Sequence, residues 1–166
     1  MVKRVINAVR RNHALEHATI SLLLSRLGQH TRVLGRAAPD GFYIYGDIPT
    51  ERLREFAHEG LARLQRGESH LAVSPLCGTN LAVAGLLAGL ASYLAVASRN
   101  SRLESLPSAL MAAMLAVLAA QPLGRLAQKH FTTLAELDDV RIVSVEPLGK
   151  HFLRVHKVRT GSSAGV

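Results

Sequence analysis

The stretch His13-Ala14-Leu15-Glu16-His17 carries the residue types that grip and use a metal ion, in the order H-x-x-E-H. In a helix, at about 100° per residue, His13 and His17 stand one turn apart on the same side. That spacing suits two imidazoles sharing one ion. Glu16 is three residues from His13, where its carboxylate can act on a metal-bound water. The order is the inverted form of the zincin motif. With eight His and eight Glu in 166 residues, chance alone produces the pattern in about 2% of such chains.

A zinc site needs a third protein ligand, and an open position for water if it is catalytic. Cys77, the one cysteine, is the first candidate, with His70, His58, Glu55 and Glu59 as alternatives. The expectation is therefore His13, His17 and Cys77 as metal ligands, zinc as the ion and Glu16 as general base. The competing readings are a buried His–Glu cluster that fixes helix packing, and a small buried thiol at Cys77. His151 and His156 are five apart on an expected strand, so they face opposite sides and read as surface residues. His30 and His130 suggest no partner.

The element that must carry the motif is a helix over residues 2–27, a run without Pro or Gly that stops at Gly28. Val2, Val5, Val9, Ile20, Leu23, Leu24 and Leu27 form one apolar stripe. Glu16 falls at its centre, His13 within it and His17 on its edge, while Lys3, Arg4, Arg10 and Arg11 point elsewhere. A carboxylate on a buried face is costly unless it is paired, protonated or near a metal.

Residues 31–37 and 42–46 flank Pro39-Asp40-Gly41 and predict a β-hairpin. A helix follows from Thr50, its expected N-cap, to a stop at Gly67. Residues 70–74 read as a strand, Arg125 to Leu137 as a helix, and 140–147 and 151–158 as a second hairpin around Leu148-Gly149-Lys150. Between these halves lie two charge-free runs, Leu76–Ser98 and Ser105–Gly124. Each is long enough for a bilayer core, which takes about 20 helical residues. Neither shows the polar face of a soluble surface helix.

The fold class expected is α+β, a small mixed sheet with helices, interrupted by a transmembrane helical hairpin. Residues 1–76 and 127–160 would form the polar domain and 77–126 the hairpin, with 161–166 a disordered tail. The Gly85/Gly89 step and the small residues around it are expected to pack the hairpin on itself.

The net charge of +8 is scattered among few aromatics, so nucleic acid is not the expected partner. The lipid bilayer is. Arg99 and Arg102 lie in the short connection, whereas Arg63, Arg66, Arg125, Lys129 and Arg141 flank the outer ends. The positive-inside bias places both termini and the polar domain in the cytoplasm. The N-terminus lacks the apolar core of a secretory signal, and a single cysteine excludes an intrachain disulfide.

Asn12-His13-Ala14-Leu15-Glu16-His17-Ala18, Gly41-Phe42-Tyr43-Ile44-Tyr45-Gly46-Asp47 and Cys77-Gly78-Thr79-Asn80-Leu81 resemble an uncharacterised bacterial family over nearly the whole chain. Its members are small two-span membrane proteins of unknown function, known mainly from photosynthetic and filamentous lineages. The resemblance implies a bacterial cytoplasmic (inner) membrane location and no particular activity. His13 to His17 alone is also similar to the pitrilysin/insulinase metallopeptidases, which place zinc on the two His and use the Glu as base. That likeness implies a metal-dependent hydrolase, of peptides first. Those enzymes take a further downstream Glu as ligand; here the corresponding distance reaches Tyr93, inside the first apolar run, where there is no carboxylate.

Overall fold

The computed structural model describes residues 2–28, 30–97, 105–148 and 154–162. The chain divides into two compact units, Met1–Ser74 with Lys129–Val166, and Pro75–Gln128.

The first unit opens with α1 (Val2–Leu27), which ends at Gly28 with φ +90°. The hairpin β1 (Leu34–Ala38) and β2 (Gly41–Tyr45) follows. Gly41 must be glycine twice over. Its φ is +139°, and a Cβ there would lie 1.9 Å from the Val158 carbonyl oxygen. Beside this turn, Lys157 is 2% exposed, 2.6 Å from the Asp40 carboxylate and 4.0 Å above the Tyr43 ring. The Lys157 hydrogen bond holds the Asp40 carboxyl below its ordinary value.

Next comes α2 (Thr50–Gln65). Its cap is Pro49, with no side-chain hydrogen bond. Thr50 is the first helical residue, and its hydroxyl bonds His156 Nε2 at 3.1 Å instead of capping the helix. A strand at 70–74 does not form. The chain leaves Gly67 (φ +89°) into a 3-10 turn, Ser69–Ala72. There Leu71 N–H bonds the Glu68 carbonyl and Val73 N–H the His70 carbonyl. These local bonds use the groups a ladder would need.

After the second unit, β3 (Val140–Pro147) and β4 (Val155–Ser162) complete the sheet. Strand order is β1-β2-β4-β3 and every pairing is antiparallel, which corrects the expected mixed sheet. β4 also runs later than expected. Gly161 and Ser162 pair with Arg141 and Val140, so they belong to the sheet and not to a tail. Gly149, Lys150, His151 and residues 163–166 of the expected turn and tail lie outside the described residues. So do Arg99 and Arg102.

The core lies where α1 and α2 cover one face of this sheet. Leu15, Leu23, Phe42, Ile44, Ile48, Leu53, Leu137 and Val158 are fully buried there. Truncating one such Leu to Ala costs about 2–5 kcal/mol.

The second unit is a pair of packed helices, α3 (Gly78–Ala97) and α4 (Leu106–Ala127). Both are long and apolar enough to cross a membrane by length and composition. A π-turn, Gln128–Thr132, extends α4. Residues 133–137 are not helical, in contrast to the expected helix through Leu137; there Leu134 N–H bonds the Arg10 carbonyl. At the root of the pair, Asn80 is buried. It donates to the Pro75 carbonyl at 2.9 Å and accepts from Gln128 Nε2 at 2.8 Å. Gly124 gives it room, since a Cβ there would be 2.3 Å from Asn80 Oδ1. Ala109, Ala120 and Gly124 are the buried residues within α4, and Ser92 Oγ donates to the Ala109 carbonyl at 3.3 Å. Gly85 and Gly89 take no part in this packing, for a Cβ at either would meet nothing within 4 Å.

Candidate metal centre

The middle of α1 sits inside the first unit, with Glu16 and His17 buried and His13 partly so. Glu16 is 5% exposed and His17 3%. The His13 and His17 rings lie 4.3 Å apart at 59°, with a ligating nitrogen of each within 4.8 Å of the other. Two ligands of one tetrahedral zinc stand about 3.3 Å apart, so small side-chain rotations suffice to share an ion.

Both rings are oriented from behind by backbone carbonyls. His13 Nδ1 donates to the Thr132 carbonyl at 2.9 Å, and His17 Nδ1 donates to the Ala72 carbonyl at 2.8 Å. A carbonyl only accepts, so Nδ1 of each ring carries a hydrogen, and the lone pair of the neutral form is on Nε2. Metal-binding histidines are ordinarily held this way. The two carbonyls come from segments far along the chain, the 3-10 turn and the π-turn. The second segment is itself pinned by Arg10, whose guanidinium donates to the His130 and Thr133 carbonyls at 2.9 and 3.1 Å.

Glu16 lies with Oε2 3.8 Å from His13 Nε2. Its other oxygen is directed at β1. A Cβ on Gly35 would come within 1.8 Å of Glu16 Oε1 and 2.4 Å of its carboxyl carbon. The absent side chain of Gly35 is thus the space the carboxylate occupies. Asn12, 2% exposed, fixes the same turn of α1. It donates to the Ala38 carbonyl at 2.8 Å and accepts from Thr160 at 2.7 Å.

Cys77 belongs to the second unit. It is buried, directly precedes α3, and its sulfur accepts the Thr79 N–H at 3.4 Å. The sulfur therefore stands at a helix N-terminus, which favours negative charge. Of the alternative ligands, Glu55, His58 and His70 are exposed. Glu59 pairs with Arg26 at 3.6 Å and Arg63 at 4.0 Å. None of the four joins a three-ligand cluster among the described residues.

His156 is not the surface residue expected. It is 2% exposed on β4, with Nδ1 lacking a hydrogen-bond partner among the described residues. Burial, then the nearby Arg154 charge, holds its imidazole below the usual value. Sequence reasoning also missed Gly35, Asn12 and Arg10. A glycine inside a strand pattern is the one available signal among them, since it marks a close approach.

Residues 8–145, which contain His13, Glu16, His17, Gly35 and Cys77, match a family model described as a domain of unknown function, DUF6391. An uncharacterized protein of Picosynechococcus sp. is 34% identical over 139 residues, covering 78% of this chain and 68% of the relative. No solved structure matches. The chain belongs to the DUF6391 family.

Proposed function

We propose that this protein is a two-span protein of a bacterial cytoplasmic membrane that binds zinc through His13, His17 and Cys77, with Glu16 as the general base of a hydrolytic reaction. The observation that carries the metal reading is the orientation of the two imidazoles, each with Nδ1 committed to a backbone carbonyl. Cys77 is the third ligand of choice because it lies five residues beyond Ala72, the residue that orients His17. Five residues span at most about 18 Å, so the chain length permits the thiol to reach His17. Bound zinc supplies an acidified water at neutral pH. Glu16 would take its proton, and peptides are the first substrate class to test.

Elemental analysis of the detergent-purified protein tests the metal. The expected result is close to one zinc per chain, lost in His13→Ala and in His17→Ala; folded, metal-free wild type overturns the site. In the membrane reading, α3 and α4 cross the bilayer and both termini face the cytoplasm. Resistance of the protein to alkaline extraction from membranes tests the spans.

A second reading is favoured by the Gly35 slot: Glu16 is a structural wedge between α1 and β1, and any metal is held without turnover. Glu16→Gln separates the two. A base mutant keeps zinc and stability and loses turnover, whereas a wedge mutant loses stability first.

A further inference from the structure

The apolar stripe of α1 continues past the point where the domain covers it. Val2, Val5 and Ile6 are 72%, 45% and 51% exposed, and with half-buried Val9 they fall within one arc of about 100° on the helix. Lys3, Arg4 and Asn7, also exposed, occupy the opposite arc. Arg10 and Arg11, one turn on, are engaged with the His130 and Thr133 carbonyls and with Asp139. Among the described residues, Lys3 and Arg4 have no such assignment. No acidic side chain precedes Glu16 in the sequence, and none stands in the first turn of α1. Basic residues in the first turn oppose the helix dipole, so they do not serve the stability of the helix itself.

We infer that the first two turns of α1 dock on an anionic lipid surface, with Val2, Val5, Ile6 and Val9 sunk among the acyl chains and Lys3 and Arg4 against the headgroup phosphates. A short stripe of Val and Ile flanked by Lys and Arg, with no acid, is the composition of an interfacial helix. The charge selects the occupant, since a protein partner seated by apolar contact alone would not need both cations. The docking goes beyond the metal reading and is independent of it. It would tie the helix bearing His13 and His17 to the bilayer at its N-terminal end.

The test is hydrogen exchange of the full-length protein in nanodiscs of phosphatidylcholine and of phosphatidylcholine with phosphatidylglycerol. Amides of residues 2–9 should exchange at least tenfold more slowly with phosphatidylglycerol present. The protection should fall in high salt and in Lys3→Glu/Arg4→Glu, since each basic side chain contributes about fivefold to affinity for an anionic surface. Peptides from α2 should show no such dependence. Equal exchange of residues 2–9 in the two lipids overturns the docking, as does protection that survives the charge reversal. Peptides from α3 and α4 report the spans separately. If they are unprotected while residues 2–9 still respond to phosphatidylglycerol, the docking stands and the spans fall.

Discussion

Gly35→Ala places one methyl group where the structure puts the Glu16 carboxylate. The new Cβ would lie 1.8 Å from Oε1, 2.4 Å from Cδ and 2.7 Å from Cγ. Ordinary contact begins beyond 3 Å, so the carboxylate must withdraw by more than an ångström or β1 must lift from α1. Overpacking of this kind costs about 1–3 kcal/mol. Against it, alanine is better than glycine inside a strand by about 0.5–1 kcal/mol, and no positive φ at Gly35 penalises a side chain. The net expectation is a loss of up to about 2.5 kcal/mol. At about 2–4 °C per kcal/mol for a chain of this size, the circular-dichroism melt in detergent should fall by up to about 10 °C.

The same substitution in a Glu16→Ala background should cost nothing, or gain stability, because the group it collides with has gone. The interaction energy of the cycle should therefore be about 1–3 kcal/mol. If the two changes add to within about 0.5 kcal/mol, Gly35 is not the seat of Glu16 and the wedge argument fails. The cycle also bears on chemistry. If Glu16 is a base held in register by β1, Gly35→Ala should retain zinc and depress turnover more than it depresses stability.

Arg10→Gln should release the segment that presents the Thr132 carbonyl to His13, weakening zinc retention about tenfold or more; competition with a chelator reads this, and unchanged retention would remove Arg10 from the support of the site. His156 gives a pH signature. Its folded-state value lies below that of the unfolded chain, so its contribution is complete above about pH 6.5 and is lost as pH falls through the folded value. The melting temperature of His156→Asn should accordingly drop less than that of wild type between pH 7.5 and 5.5, and parallel curves would refute the assignment. Gly124→Ala should destabilise the α3–α4 pair by about 1–3 kcal/mol through collision with Asn80, measured as loss of helical signal in increasing sodium dodecyl sulfate, whereas Gly85→Ala should be close to neutral there.

The parts of the fold legible in the sequence are those set by local chemistry. The α1 run without Gly or Pro, the Pro39-Asp40-Gly41 turn, the stop at Gly67 and the two charge-free runs each mark an element that the structure contains. What the sequence did not disclose depends on partners distant along the chain. Thr50 looks like a cap until His156 arrives 106 residues later. Residues 70–74 read as a strand, yet Ala72 serves as the acceptor that orients His17. The shift of β4 by four residues rests on Arg141 and Val140 pairing with Gly161 and Ser162, which no property of the terminal residues announces.

The same distinction explains why the motif was visible and its support was not. His13, Glu16 and His17 follow from helical spacing, a local rule. Whether such a cluster can hold an ion depends on what stands behind each imidazole, and here those groups are the carbonyls of Thr132 and Ala72. A carbonyl has no residue type, so it leaves no trace in sequence. A merely structural histidine pair needs only some partner for each ring. This pair has both rings anchored through the same nitrogen, Nδ1, to backbone carbonyls. Backbone carbonyls commonly fix metal-ligating imidazoles in this way, and for that reason the zinc measurement comes before any search for substrate.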